Sequence, residues 1–438
     1  MPTLEKNCSP KVVGDLACQH DSYLRTLESE VVSCIEHTPQ AKANGSKKSS
    51  KNAAPEEPSK SWLIECADSV LFPEGGGQPT DYGTLTPLST PPEEPIAIKV
   101  IERQGLRCIY RSSKPLKPGT LVRQDVDFSR RWDHMQQHTG QHLLSAVMDR
   151  YDNLETLGWG MGAENDVNYV DLPRKPSAEE MQIIQEKCNE AIRNNHQITV
   201  ETTPHDAKSD SLPGDYDKEK GVVRVIKIAD IDENPCCGTH LAQTSHIALI
   251  LLHHTQSIRG TNTRMFFTAG DRAIRLATSS IRSLRSIGGI LSSGTAPDDV
   301  LSSVKRMSDN VSDLNRKSNK LLLEIAKFEG ERVKADLAAG KKAWVYRPSP
   351  GLDFINSVCF EVKDQLEEGG LVVLASGEGK SGGAVVLVGE KGLVESFTER
   401  MKGVVSSIKG GGKGERWQGK VVEWKKGEIE ALRTLVEG

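Results

Sequence analysis

The strongest constraint on how this chain folds comes from two short motifs that together carry five metal-binding side chains. The first motif, HTGQH, runs from His138 to His142, and the second, CCGTH, runs from Cys236 to His240. Residues four apart on a helix lie on one face, so His138 and His142 can bind one ion together. Thiolate combined with imidazole favours zinc over magnesium or calcium. A shared ion would require the fold to join two segments about a hundred residues apart.

The second motif leaves two choices for its sulfur ligand. Cys236 is four residues before His240, whereas Cys237 and His240 also make a plausible short metal-binding loop. A metalloprotease is the natural alternative for a helical histidine pair, but it needs a glutamate directly after the first histidine as general base. Thr139 occupies that position, and no acidic residue lies between the two histidines. The sequence therefore disfavours a protease.

Size and composition limit the classes of protein that remain. The 438 residues are enough for two to four domains, and 56 basic against 60 acidic residues give a net charge of −4. This balance excludes a basic coat, so any nucleic-acid contact would depend on local patches. The nine cysteines are odd in number and scattered, which fits reduced thiols. With no apolar stretch of membrane-spanning length and no signal peptide, we expect a cytoplasmic protein without a membrane partner.

The alternation of apolar runs and turn residues predicts an α+β protein with four parts. Short strands between glycine and proline turns predict a small N-terminal β-barrel in residues 1–130. Within it, residues 39–60 are rich in Ala, Lys, Ser and Pro, and we predict a disordered insert. Residues 131–275 mix helices and strands and contain both metal motifs. Residues 276–340 are predicted to form a long helical segment, and residues 341–438 a separate C-terminal α/β domain.

Three elements are predicted around the metal motifs. Apolar positions predict a helix from Asp133 to Tyr151. Ser177 and Glu180 have the spacing of a capping box, which predicts the start of a second helix that ends near Asn194. The apolar run from His246 to Leu252 predicts a strand.

A regular apolar stripe marks the helical segment. From Val304 to Phe328, apolar residues recur at alternating three- and four-residue steps, and only Ser318 interrupts the pattern. Such an a/d stripe is typical of a coiled coil. Two interpretations are equally compatible with it: a long helix that packs on its own protein, and a coiled coil that joins two copies in a homodimer.

Several motifs together resemble one known family. The HTGQHLL segment from His138 and the CCGTH segment are similar to the editing domain of alanyl-tRNA synthetase and its free-standing AlaX relatives. The glycine-rich segment Phe72–Pro79, FPEGGGQP, and the segment Arg131–Gln137, RWDHMQQ, continue the resemblance. The resemblance covers nearly the whole chain except the 39–60 insert. It implies that residues 131–275 form a zinc-containing editing domain.

The resemblance also implies an activity. Members of this family hydrolyse misacylated tRNA(Ala) in trans, so the implied substrates are chiefly seryl-tRNA(Ala) and secondly glycyl-tRNA(Ala). The chain begins almost directly in the predicted barrel, and we therefore expect no aminoacylation core. The implied ligands of a single Zn²⁺ are His138, His142, Cys236 and His240, which favours Cys236 over Cys237. Four protein ligands usually describe a closed, structural zinc site. A non-catalytic tRNA- or partner-binding protein with a structural zinc is therefore the alternative.

Three further residues are predicted to form catalytic pocket contacts. Thr139 and Gln141 flank the implied ligands and have groups that can hydrogen-bond the serine hydroxyl or the ester; solvated helix positions are the alternative. Gln78 directly follows the three glycines of the glycine-rich segment. The synthetase pattern carries a glutamine after the histidines, and residues 154–160 of this chain have none. The discriminating pocket is therefore predicted less directly than the metal site.

Two segments are predicted to contact RNA. Gly75, Gly76 and Gly77 would let the backbone approach the 3′ end of the tRNA, with a tight hairpin turn as the alternative. Near the C-terminus, basic residues and an aromatic residue flank a glycine run, a combination that suits phosphate contact and base stacking. A charged, solvated loop is the alternative there. The predicted contacts in this second segment are Lys413, Arg416, Trp417 and Lys420.

Overall fold

The computed structural model describes residues 9–37, 60–91, 93–164, 166–203, 222–349, 351–366 and 369–438. The predicted insert 39–60 lies outside the described residues, apart from Lys60. The chain divides into two compact units, Met1–Ser283 and Leu284–Gly438. The predicted division into four domains stays a prediction. Among the described helices, none has both the length and the apolar character needed to cross a bilayer.

The N-terminal unit begins with a curled antiparallel sheet. Its elements are α1 (Ala17–His20), β1 (Thr26–His37), β2 (Ser61–Cys66), β3 (Gly83–Pro87), β4 (Ile96–Ile98), β5 (Ile101–Gln104), β6 (Arg107–Ser112) and β7 (Leu121–Val126). The strands pair in the order β4-β3-β7-β1-β2-β6-β5. The two edge strands, β4 and β5, follow each other directly in the chain and are separated only by residues 99–100, so the sheet curls until its edges nearly meet. This nearly closed sheet surrounds one apolar core and confirms the predicted barrel.

The metal motifs lie in the second half of this unit, which combines helices with two small sheets. Its elements are α2 (Phe128–Met148), β8 (Gly158–Gly160), β9 (Asn168–Leu172), α3 (Ala178–Arg193), β10 (Ile198–Thr203), β11 (Val223–Ile228), β12 (Asp232–Pro235), β13 (Ile250–Ser257), β14 (Thr263–Ala269) and α4 (Gly270–Leu291). The strand orders are β13-β14-β9-β8 and β10-β11-β12. One apolar core joins α2, α3 and both sheets.

The helix caps explain where α2 and α3 begin. Ser177 accepts a hydrogen bond from Glu180 N at 3.1 Å, and Glu180 accepts one from Ser177 N at 2.7 Å, as the capping-box prediction requires. Helix α2 begins five residues before the predicted Asp133, at Phe128. Its earlier start follows from Asp127, whose side chain accepts from the backbone N atoms of Ser129 and Arg130.

The predicted strand from His246 to Leu252 is wrong in its first half. Residues Thr244–Ile247 form a single 3-10 turn, and Ala248 follows with φ of 65°. This left-handed residue breaks the extended backbone, so β13 begins only at Ile250. Ile247 is nevertheless buried in the core, which is why its apolar side chain looked like part of a strand.

The C-terminal unit is the predicted α/β fold. Its elements are α5 (Pro297–Ala338), β15 (Ala343–Arg347), α6 (Leu352–Glu361), α7 (Lys363–Leu366), β16 (Leu371–Gly377), β17 (Gly383–Gly389), α8 (Lys391–Val404), β18 (Ile408–Lys413), β19 (Arg416–Val421) and α9 (Glu428–Glu437). The sheet order is β15-β16-β17-β19-β18, with only β15 and β16 parallel. Apolar cores cover both faces of the sheet.

The long helical segment consists of two helices, because Ser292 has φ of 49° and ends α4. Helix α5 has 42 residues and carries the apolar stripe. Its buried residues lie near the two ends, from Val300 to Ser303 and from Ala326 to Val333. The stripe itself is exposed, by 63% at Leu314 and 78% at Phe328. The helix prediction is confirmed, and the stripe does not form a buried seam within the described residues.

Candidate metal centre

Four side chains from the two motifs meet at one point inside the N-terminal unit. The nitrogen atoms of His138, His142 and His240 and the Sγ of Cys236 all lie within 4.8 Å of one another. Helix α2 supplies the first two side chains, and the loop after β12 supplies the other two. The group contains Cys236 and not Cys237. The fold therefore brings together the two motifs as the sequence requires for one shared ion.

Hydrogen bonds to the Nδ1 atoms of His138 and His142 fix the orientation of these two rings. The Nδ1 atom of His138 lies 2.9 Å from Gln78 Oε1, and that of His142 lies 3.1 Å from Asp232 Oδ2. Amide and carboxylate oxygens only accept, so both Nδ1 atoms carry a proton, and the Nε2 atoms are the nitrogens left to bind an ion. Metal-binding histidines are commonly oriented in this way.

The nitrogen and sulfur atoms at the centre of this group have the chemistry needed to bind a cation. The Nε2 of His240 is buried and has no hydrogen-bond partner among the described residues. The Nε2 of His138 lies 3.3 Å from Cys236 Sγ. Burial raises the pKa of the Cys236 thiol, but the charges of His138 and His240 and the hydrogen bonds from the histidines outweigh burial and hold the pKa well below its ordinary value. The thiolate is the metal-binding form of cysteine. These four residues therefore form a donor set for a metal ion.

His142 and His240 differ in the direction in which their surroundings shift the pKa. Burial lowers the pKa of His142, but hydrogen bonds with Asp232 and Cys236 outweigh burial and raise it to about 9. Burial lowers the pKa of His240 to about 3. By contrast, burial raises the pKa of Cys237 to about 12, which keeps that thiol protonated. The two neighbouring cysteines therefore have opposite character, and Cys236 is the sulfur ligand that the structure supports.

Gln78 connects the barrel to both motifs. Besides His138, its Oε1 accepts from Thr239 N at 3.0 Å, and its Nε2 donates to Thr239 Oγ1 at 2.8 Å. Gly76 and Gly77 precede it with φ of 61° and 79°, in a tight turn closed by backbone hydrogen bonds between Gly75 and Gln78. Residues with a side chain rarely adopt a positive φ at two successive positions, so the turn itself requires glycine.

We expect Gly238→Ala to disrupt the metal site. A Cβ at this position would lie 2.3 Å from Cε1 of His138 and 2.9 Å from Oε1 of Gln78, so the imidazole must move. Loss of metal at equal protein concentration, measured by inductively coupled plasma mass spectrometry, is the expected result. Gly158→Ala is the matched control, because this glycine also lines the cleft and a Cβ there meets no atom within 4 Å. Equal metal content in both variants would contradict the assigned geometry.

Asp232 is a functional residue that the sequence analysis missed. Its buried carboxylate orients His142 and also accepts from Asn234. We expect Asp232→Ala to weaken metal binding by roughly 10–100-fold, because outer partners of metal-binding histidines have effects of this size. Competition with a chromophoric chelator measures the affinity. Glu233→Ala is the control on the same strand, since its side chain is exposed and pairs with Lys227. Unchanged affinity in Asp232→Ala would contradict the orienting role.

The donor set lies on the wall of a cleft of about 1150 Å³. His138, His142 and Cys236 line this cleft, and His240 lies behind them, 3% exposed. The ring of Trp159 lies 4.9 Å from that of His138. Ligand-binding clefts for drug-sized molecules usually have volumes of about 300–1,000 Å³. The cleft is therefore large enough for an adenosine that carries an amino acid.

Comparisons with known proteins agree with this geometry. Residues 223–266, which include the second motif, match the family model described as the threonyl and alanyl tRNA synthetase second additional domain. The putative alanyl-tRNA editing protein alaX of Saccharomyces cerevisiae is 33% identical over 97% of this chain and 96% of its own length. The chain belongs to the family of alanyl-tRNA editing proteins. Another member, alanyl-tRNA editing protein Aarsd1-B of Xenopus laevis, is 33% identical over 96% of this chain and 97% of its own length.

This chain is also similar to part of a synthetase. Alanine–tRNA ligase of Thermococcus kodakarensis is 28% identical over 86% of this chain, which corresponds to 41% of the ligase. The similarity thus extends beyond the metal motifs and covers most of the chain. The resemblance inferred from the sequence motifs is confirmed.

The three predicted pocket residues, Gln141, Gln78 and Thr139, differ in how far they are accessible from the cleft. Gln141 lines the cleft. Gln78 also lines it, but both polar atoms of its amide are engaged with His138 and Thr239. Thr139 is fully buried and does not line the cleft; its Oγ1 accepts from Leu241 N at 3.1 Å and lies 3.5 Å from His240 Nδ1. A direct contact between Thr139 and substrate is therefore not supported, whereas Gly75, Gly76 and Gly77 all line the cleft.

The predicted RNA contacts near the C-terminus need one correction. The glycine run is not a flexible loop, because it forms part of β18 and pairs with β19. Trp417 is only 6% exposed and packs in the core over Gly419, where a Cβ would lie 2.3 Å from the indole ring. Its ring is therefore not available for stacking on a base. Lys413, Arg416 and Lys420 are exposed.

These basic residues form a strip on one face of the β18–β19 hairpin. Lys413 pairs with Arg416, and Lys409 pairs with Lys420. Directly paired residues share a face of the sheet, and like charges in such pairs repel each other. The strip therefore concentrates positive charge, as expected for a surface that contacts phosphate.

Proposed function

We propose that this protein is a trans-editing hydrolase that deacylates mischarged tRNA(Ala), chiefly seryl-tRNA(Ala), at a site containing one Zn²⁺. The observation that carries the proposal is the convergence of His138, His142, Cys236 and His240 on the wall of an open cleft. The names of the relatives support editing of alanyl-tRNA as the general activity. Three nitrogen donors and one thiolate are typical zinc ligands, which supports the choice of metal.

The chemistry of the site fits ester hydrolysis. A zinc ion held there would supply Lewis-acid polarisation of the ester carbonyl. The side chains of Gln78 and Asp232 hold protons on the Nδ1 atoms of His138 and His142, so both rings stay oriented during turnover. Gly76 and Gly77 keep one wall of the cleft free of side chains, which gives the terminal adenosine room to approach the donor set.

The proposed partner is tRNA(Ala) misacylated with serine or glycine. The exposed residues Lys413, Arg416 and Lys420 are placed on a strip of positive charge that suits the phosphate backbone. We place this activity in the cytoplasm, where reduced thiols such as Cys236 persist.

The exposed stripe of α5 suits a second copy of this chain. Lys317 and Glu324 flank it seven residues apart, so an antiparallel arrangement would place each lysine beside a glutamate of the other copy. Sedimentation velocity of the wild type and of Leu314→Lys tests this homodimer. A concentration-dependent dimer that the substitution dissociates is the expected result, and a wild-type monomer at all concentrations would contradict it.

A deacylation time course tests the proposed activity. Purified protein loaded with zinc should release serine from seryl-tRNA(Ala) and leave alanyl-tRNA(Ala) largely intact. The competing function is a non-catalytic tRNA- or partner-binding protein with a structural zinc, and the count of four protein ligands favours it. Its signature would be normal tRNA binding without turnover of any acylated tRNA. That outcome would overturn the proposed hydrolase.

A further inference from the structure

Three successive backbone carbonyls of the second metal motif are held by buried side chains. Arg224, in β11, donates to the carbonyl of Cys236 at 3.2 Å and to that of Gly238 at 2.8 Å. Gln19, in α1, donates from its Nε2 to the carbonyl between them, that of Cys237, at 2.7 Å. Arg224 is 3% exposed and Gln19 is 1% exposed. The backbone of the motif is therefore bound at each of its first three residues.

The two side chains that hold the motif are also joined to each other. Arg224 donates to the carbonyl of Gln19 at 2.6 Å, and the Oε1 of Gln19 accepts from Gly14 N at 2.6 Å. The carbonyl of Arg224 in turn accepts from Cys236 N at 2.9 Å. A guanidinium carries its N–H donors in a rigid planar fork, so one arginine can bind several carbonyls at fixed angles. Arg224 thereby connects β11, α1 and the second motif.

Two further hydrogen bonds join the same N-terminal segment to the motif and the residues after it. Ser22 Oγ accepts from His240 N at 3.3 Å, and Tyr23 Oη accepts from Ala242 N at 2.9 Å. All of these bonds involve the backbone of the motif, and none uses a nitrogen or sulfur atom of the donor set. They therefore do not depend on a bound ion.

The position of the motif determines whether the donor set can form. Gly238 packs so closely on His138 that a Cβ would lie 2.3 Å from the imidazole, so the motif is seated directly against α2. Cys236 and His240 can share an ion with the α2 histidines only while the motif keeps this position. The apparent affinity of such a site falls with the fraction of molecules in the binding conformation.

We propose that Arg224 and Gln19 are positioning residues that hold the second motif in its metal-binding conformation before the ion arrives. The proposal rests on the zinc site of the proposed function, and it does not depend on the deacylation step. Removal of either side chain leaves buried carbonyls without their donors, which favours conformations in which the motif moves away from α2. Ligand geometry is then established only when an ion binds, and zinc binds more weakly.

The test measures zinc affinity by competition with a chromophoric chelator in Arg224→Met and Gln19→Met. We expect both variants to bind zinc about 10–100-fold more weakly, the usual effect of removing groups that orient metal ligands. Arg224→Lys keeps the charge but not the planar fork, and its affinity should lie between those of Arg224→Met and the wild type. Arg264→Met is the matched control, because Arg264 pairs with Asp171 and does not line the cleft. It should bind zinc as the wild type does.

Hydrogen exchange of the zinc-free proteins separates positioning from a general loss of structure. In Arg224→Met and Gln19→Met, the amides of residues 236–240 should exchange faster than in the wild type, while those of residues 143–148 in α2 should be unchanged. If Arg224→Met fails to fold, Gln19→Met alone decides, since it removes one donor and leaves the arginine.

Two results would overturn the positioning role: unchanged zinc affinity in the variants that fold, or exchange that rises equally in the motif and in α2. A wild-type protein that binds no zinc would overturn the metal site and this proposal with it. A wild-type protein that binds zinc but deacylates no acylated tRNA would overturn only the proposed hydrolase, and the affinity and exchange measurements would still decide the roles of Arg224 and Gln19.

Discussion

The double variant His138→Ala with His142→Ala should lose at least about 10³-fold in the rate of seryl-tRNA(Ala) deacylation. Metal ions stabilise developing charge by several kcal/mol, and each 1.36 kcal/mol corresponds to a tenfold change in rate. The double variant removes both ligands that α2 contributes, and Cys236 and His240 alone cannot complete a tetrahedral site. Single-turnover deacylation with saturating protein measures the chemical step.

The control for this prediction is His254→Ala, which removes an exposed imidazole of β13 that stacks on Phe266 and does not line the cleft. It should deacylate at the wild-type rate. Binding of tRNA, measured by filter binding, should persist in the double variant, because the basic strip is unchanged. Full activity of a metal-free double variant would contradict the assigned ligands.

The second large effect concerns stability. The side chains of Arg131 in α2 and Asp81 in the barrel are both fully buried and form an ion pair. Arg131 also donates to the carbonyls of Ser22 at 3.0 Å and Val70 at 2.7 Å, and Asp81 accepts from Phe72 N at 2.7 Å. Asp81→Ala leaves the guanidinium charge buried without its counter-ion. We expect a decrease of about 3–5 kcal/mol in the free energy of unfolding of the N-terminal unit.

Urea denaturation of the full chain, followed by circular dichroism, measures this loss. Asp313→Ala is the matched control, since Asp313 pairs with Arg316 on the exposed surface of α5. Exposed pairs contribute at most about 1 kcal/mol, so the control should unfold near the wild-type midpoint. Equal midpoints for both variants would show that the buried pair does not join α2 to the barrel.

The sequence contains the metal chemistry but not the groups that orient it. His138, His142, Cys236 and His240 were predictable because their residue types and four-residue spacing are unusual. Asp232 was not, because a single acidic residue in a strand has no distinctive pattern, and only the fold places it beside His142.

The error at Trp417 has a different cause, because the sequence did contain the relevant signal. From Arg416 to Val421, polar and apolar residues alternate with a period of two, which is typical of a strand with one buried face. That pattern predicts Trp417 and Val421 inside and Lys420 outside, as the structure has them. The neighbouring glycine run suggested a loop, but its strand pairing with β19 holds it extended.

The start of α2 was predictable from its cap as well. Asp127 precedes the first helical turn and accepts from two of the backbone N atoms that have no partner within the helix. The strand assigned to His246–Leu252 was not resolvable from sequence, because a short apolar run fits a buried turn and a buried strand equally well.

The extended X-ray absorption fine structure at the zinc K-edge tests the central claim most directly. The protein loaded with one Zn²⁺ per chain should show one sulfur at about 2.3 Å and three nitrogens at about 2.0–2.1 Å. In Cys236→Ser the sulfur shell should disappear, and in Cys237→Ser it should remain. Two sulfur ligands, or a sulfur shell that persists without Cys236, would contradict a single ion held by His138, His142, Cys236 and His240.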